Sequence, residues 1–90
     1  MLEKVKLALR IKSEHFDNEL LDLINAALAD LQLTDISKVD ETDPLIIMAV
    51  KTYCKAHFGT PEKDEYKRLK AAYDEQKAQL LVSSKYRDWE

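Results

Sequence analysis

The chain has 90 residues, 46 % of them hydrophobic and 34 % charged, with a formal charge of -3. That length sets one domain, residues 1–90, with a single modest core, and the balance argues against extended disorder and against a bilayer protein. One glycine and two prolines leave few places for the positive-φ hairpin turns that a sheet needs, so the expected class is all-α: a small bundle of about four helices, with a central apolar helix and a C-terminal tail from about residue 83. Folding at this size buries roughly 60 to 65 % of the surface the unfolded chain exposes, so stability in isolation is small and partner copies add to it.

Leu2, Val5 and Leu9 mark one face of a short first helix, although Leu7, Leu9 and Ile11 also alternate as an extended segment would. The N-terminus has no uninterrupted apolar run, so no secretory signal is expected. A second helix is expected to open at Ser13 as N-cap, with Glu14 and Asp17 in its first turn where the helix dipole favours acids. Phe16, Leu20, Leu23, Ile24, Ala27, Leu28 and Leu31 then step by three and four to about Gln32, while Asp17, Asp22, Asn25 and Asp30 fall largely on other faces. Residues Thr34 to Thr42 break the period and read as a loop with Ile36 and Val39 tucked inward.

The third helix carries the strongest punctuation: Asp43 as N-cap, Pro44 at the first helical position, Gly59 just past the end and Pro61 beyond. It is expected over Asp43 to Phe58. Leu45 to Val50 are apolar all round, which demands cover on several sides, from this chain or from neighbours. The fourth helix is expected to begin near Thr60 and Pro61. Its positions Tyr66, Leu69, Tyr73, Gln76 and Leu80 form a heptad-like seam, and Asp64 stands four residues before Arg68 as a favourable pair. Ser83 and Ser84 end the pattern, leaving Lys85 to Glu90 as the tail.

The residues that could carry chemistry are few. Cys54 and His57 share a helix face, but zinc needs three or four ligands and His15 is the only other imidazole, so no metal site is expected. Asp35, Asp40, Glu41 and Asp43 lack the glycine and spacing of a calcium loop. No nucleophile elbow or glycine-lined oxyanion site accompanies Cys54, so neither catalytic residues nor a cofactor are expected. Cys54 is the sole cysteine, which removes any intrachain disulfide and suits a reducing compartment. A groove-reading helix over Pro44 to Phe58 would present Leu45, Ile46, Ile47 and Met48 to bases, which is too apolar for that task.

The order Leu9-Arg10-Ile11, Phe16-Asp17-Asn18-Glu19-Leu20, Leu23-Ile24-Asn25-Ala26-Ala27, Asp43-Pro44-Leu45-Ile46, Ala49-Val50 with Tyr53, Phe58-Gly59, Tyr73-Asp74, Leu80-Leu81, Ser84 and Tyr86 resembles the head-tail connector proteins of tailed bacteriophages. The resemblance covers nearly the whole chain and departs at Asp35, where many relatives would carry glycine before the isoleucine that is here Ile36. It implies a non-enzymatic helical subunit, made in the host cytoplasm, that forms a ring at the virion head-tail junction. Such a ring sits beneath the portal protein, meets a downstream stopper or tail-completion protein, and passes DNA without sequence-specific binding or membrane contact. The acidic balance and the apolar helix needing cover are compatible with that role.

A closed ring needs a different face toward each neighbour. The candidate contacts are Leu2 and Val5 of the N-terminal helix, Leu45, Ile46 and Met48 of the central one, and Tyr86, Arg87 and Trp89 of the tail. The runner-up function is a small helical adaptor or regulatory domain that binds one protein partner through the same surfaces; a DNA-binding module comes third.

Overall fold

A computed structural model of the chain describes residues 1–33, 42–59 and 61–87, with side chains as far as Val82. It is all-α. Four helices follow in order, α1 (Leu2–Leu9), α2 (Asp17–Leu33), α3 (Pro44–His57) and α4 (Lys63–Arg87), and no strand occurs among the described residues. The expected positions of Asp35, Ile36, Val39, Asp40, Glu41, Thr60 and Trp89 lie outside the described residues.

The end of α1 resolves the ambiguity left by Leu7, Leu9 and Ile11. Arg10 turns into the left-handed region (φ 58°, ψ 39°), the Ile11 N–H donates to the Lys6 carbonyl at 2.9 Å, and the Arg10 N–H donates to Leu7 at 3.2 Å. This pair of bonds is the Schellman pattern, and it satisfies two carbonyls that the helix end would leave open. Ile11 then packs against the core from outside the helix.

The second helix starts later than expected, at Asp17 and not after Ser13. The Ser13 hydroxyl accepts the His15 N–H at 3.0 Å, a local bond that competes with capping, and the first helical bond runs from the Leu20 N–H to the Phe16 carbonyl at 2.9 Å. Leu20, Ile24, Ala27 and Leu31 form its buried stripe, stepping by four, three and four.

Asp43 and Pro44 start α3. The Asp43 carboxylate accepts the Leu45 N–H at 2.9 Å, and its own carbonyl accepts the Ile47 N–H at 3.0 Å. The helix stops at His57, one residue before the expected end, because Phe58 takes an extended conformation and lays its ring edge-on to Phe16 at 5.3 Å. Gly59 supplies the positive φ (72°) that follows.

Glu62, not Thr60 or Pro61, immediately precedes α4, and its carbonyl accepts the Tyr66 N–H at 2.8 Å. Helix continues to Arg87, past the Ser83 and Ser84 expected to end it; serine lowers helix propensity only modestly, by about half a kcal/mol relative to alanine.

α3 is the central element: it packs against α1, α2 and α4, and its contact with α4 is the most extensive in the molecule. The core joins Val5, the α2 stripe, Ile46, Ala49, Val50 and Cys54 from α3, and Tyr73 and Leu80 from α4. Four of the six residues from Leu45 to Val50 are thus covered by the chain itself, and Leu45 and Met48 are left exposed.

Two substitutions test this packing by urea unfolding followed by circular dichroism. Leu20→Ala empties a fully buried position and is expected to lower stability by about 3 kcal/mol. Arg10→Gly relieves the left-handed strain, which costs an L-residue about 1–2 kcal/mol, less the extra chain entropy of glycine; a gain of about 0.5–1 kcal/mol is expected.

Candidate interaction surfaces

Three regions could do work: a polar aromatic cleft, the exposed apolar residues, and the charged faces of α2 and α4. The cleft, of about 250 Å³, lies where α2, α3 and α4 meet, and Asp30, Tyr53, His57, Tyr66, Lys70, Tyr73, Asp74 and Lys77 give it its polar and aromatic lining. Tyr73 donates its hydroxyl hydrogen to Asp30 Oδ2 at 2.7 Å, and Lys77 Nζ reaches the same oxygen at 3.1 Å while standing 5.2 Å over the Tyr73 ring. One carboxylate of α2 therefore fixes two side chains of α4 one helical turn apart.

The electrostatics follow from that geometry. Partial burial on its own would raise the Asp30 carboxyl, but the hydrogen bonds from Tyr73 and Lys77 and the charges of Lys77 and His57 outweigh it and hold Asp30 below the ordinary aspartate value. Burial, and then the bond to Asp30, push the Tyr73 hydroxyl far above the usual tyrosine value. Burial, and then the Asp30 charge, also raise Tyr53. Tyr53 stacks at a tilt on His57, with ring centres 4.3 Å apart, and meets Tyr73 edge-on at 5.3 Å. The cluster is thus an interlocked fastening between helices, with its hydroxyls held protonated and no activated nucleophile in it.

Cys54 and His57 do not form a reactive pair. Cys54 is fully buried and burial pushes its thiol up to about 11, whereas His57 lies exposed against Tyr53 and Tyr66. Among the described residues no group of three His, Cys, Asp or Glu is placed to hold a metal ion.

Of the expected contact residues, Val5 and Ile46 have to be reassigned. They are 0 % and 1 % exposed, so they belong to this chain's own core and have no side-chain surface to offer a neighbour. Leu2 is half-buried against that core. Leu45 and Met48 are 40 % and 52 % exposed and, three residues apart, lie side by side on the outer face of α3. Tyr86 and Arg87 fall within α4, with side chains outside the described set. Pro61 precedes α4, and Ser13 lies in the turn before α2.

The acids of α2 were expected to face largely away from the core, yet two of them are engaged. Asp17 pairs with Lys6 of α1 at 2.8 Å and Asp30 pairs with Lys77 of α4. Those are the ion pairs among the described residues, and the expected Asp64–Arg68 pair is not formed. Sequence reading missed the Asp30 site because its partners arrive from a helix more than forty residues away. The available signal was the combination of Tyr73 in the seam with Lys77 four residues on.

No match was found among curated proteins or among solved structures. A family model described as phage connector protein matches residues 1–87.

The Asp30 fastening is testable. Tyr73→Phe removes a hydrogen bond to a charged acceptor and is expected to cost about 1 kcal/mol in thermal or urea melts at neutral pH. Because the folded-state value of Asp30 lies below the unfolded one, its contribution is complete above the ordinary aspartate range and is lost as pH falls through the folded value. The penalty of Tyr73→Phe is therefore expected to shrink in melts carried out in acid; an undiminished penalty there would show that the carboxylate is not the acceptor that matters.

Proposed function

The chain belongs to the phage connector protein family, and on that premise we propose that it is a structural subunit of a ring joining head to tail. The observation that carries the reading is the family match, which spans residues 1–87 of the 90. A head-tail connector role makes the chain a component of phage assembly that works with head and tail proteins. The finer proposal is that copies close into a ring under the portal protein, extend the DNA channel and offer their far side to a stopper or tail-completion protein. No substrate is turned over in this role. Copies would assemble in the host cytoplasm and remain at the head-tail junction of the virion.

Several features support the reading. Leu45 and Met48 remain exposed on the central helix, where a small monomer gains by covering them. The net charge of -3 disfavours tight, phosphate-driven adhesion of passing DNA to the ring wall as a whole. No helix among the described residues is long and apolar enough to cross a membrane.

Purified protein mixed with its portal protein and viewed by negative-stain electron microscopy is expected to give rings seated on the portal. Particles with a bare portal, alongside a one-to-one complex with some other protein, would favour the adaptor reading. Deleting Lys85 to Glu90 is expected to weaken ring formation while leaving the helical circular dichroism signal nearly unchanged, because the core among the described residues reaches no further than Leu80. Rings of unaltered yield from the truncated chain would remove the tail from the interface.

A further inference from the structure

The charges of this chain are segregated along its length. Residues 13–43 carry nine carboxylates against one lysine, whereas residues 44–90 carry nine lysines and arginines against seven carboxylates. In the fold, this segregation leaves two complementary helix faces. On α2, Glu19 and Asp22 are exposed one turn apart on the side opposite the buried stripe, and further along the same side lies Leu33, 86 % exposed. On α4, Lys63, Lys67 and Lys70 are exposed along a shallow groove with Tyr66 and Ala71, and Val82, 68 % exposed, stands further along the helix. Among the described residues no ion pair engages Glu19, Asp22, Lys63, Lys67 or Lys70.

From this pairing we propose that the acidic outer face of α2 in one copy docks along the basic outer face of α4 in the next, the two helices running parallel. The spacing supports the register. Glu19 to Asp22 and Lys67 to Lys70 are both steps of three, and Glu19 to Leu33 covers about 21 Å of helix, as Lys67 to Leu81 does, so that the acids meet the lysines while Leu33 reaches the neighbourhood of Val82. The intervening side chains include Ala26 and Ala29 on α2 and Ala78 on α4, all exposed and short enough for close approach. Asp74 lies opposite Ala26 in this register and so meets no like charge. The contact is heterologous, because each copy offers α2 to one neighbour and α4 to the other, which is the form that closes into rings. A second copy fits this face better than duplex DNA does: Asp74 interrupts the lysine groove and Lys77 is committed to Asp30, so few cations remain for phosphates.

This inference rests on the ring reading, and charge reversal separates the two. Ring yield on purified portal would be measured by electron microscopy and sedimentation for wild type, for Glu19→Lys with Asp22→Lys, for Lys67→Glu with Lys70→Glu, and for all four together. All are surface changes, and circular dichroism checks the fold of each. Each pair alone is expected to cut ring yield at least about tenfold by placing like charges in contact, and the four together are expected to restore most of it. Wild-type rings unaffected by either reversal would overturn the α2–α4 contact and leave the ring reading standing. No rings from wild type would overturn both. A salt-sensitive loss of duplex DNA binding in Lys67→Glu, Lys70→Glu, with ring yield intact, would assign the lysines to DNA and likewise overturn the contact.

Discussion

The enclosure of α3 is the constraint on which the rest of this structure depends. A helix whose first turns read Pro44-Leu45-Ile46-Ile47-Met48-Ala49-Val50 needs cover on most of its sides, and a 90-residue chain has enough other material to supply it across Leu45 to Val50 everywhere but at Leu45 and Met48. α1, α2 and α4 each pack on α3, α1 and α2 also pack on each other, and α4 rests almost wholly on α3, so the bundle is organised around one rod. Its start is fixed by Asp43 and Pro44, and its end by the extended Phe58 and the positive φ of Gly59. Displacing α3 would expose the apolar stripe of α2 and the seam of α4 together.

That arrangement leaves α4 in a particular position. It is the longest helix, it rests chiefly on α3, and Tyr73 and Lys77 tie it to α2 through Asp30. Tyr73 and Lys77 converge on one carboxylate, so the angle of α4 is set by a directional bond as well as by packing. In the ring proposed above, such a fastening would hold the outer face of α4 in register with a neighbour. An error of a few ångströms along α4 would misplace every exposed side chain on it.

The sequence is legible where a structural decision is local and opaque where it is not. The periodicities of α2 and α3 are written in consecutive residues, as is the Asp43-Pro44 start, and the glycine count alone disfavours sheets. Asp17 and Asp30 read only as acids lying largely off the apolar face, because their partners, Lys6 and Lys77, come from other helices. Ile46 looked available for contact because an all-round apolar helix does not disclose which sides its own chain covers, and Val5 because the apolar face of a short helix can serve its own core or a neighbour equally well. Ser13 misled through a competing local bond to His15, and the Ser83-Ser84 pair misled because two mildly unfavourable residues do not stop a helix already under way. The family resemblance read from residue order agrees with the match over residues 1–87.

What the described residues of this chain display is a small core, a helix fastening and exposed faces. Membership in the connector family gives those faces a setting between head and tail. The most direct measurement is a cryo-electron microscopy reconstruction of the neck of the parent virion. The account predicts a ring of four-helix subunits into which this chain fits, lying between the portal and the first tail component. A neck resolved to side-chain level with no density for this chain would contradict it.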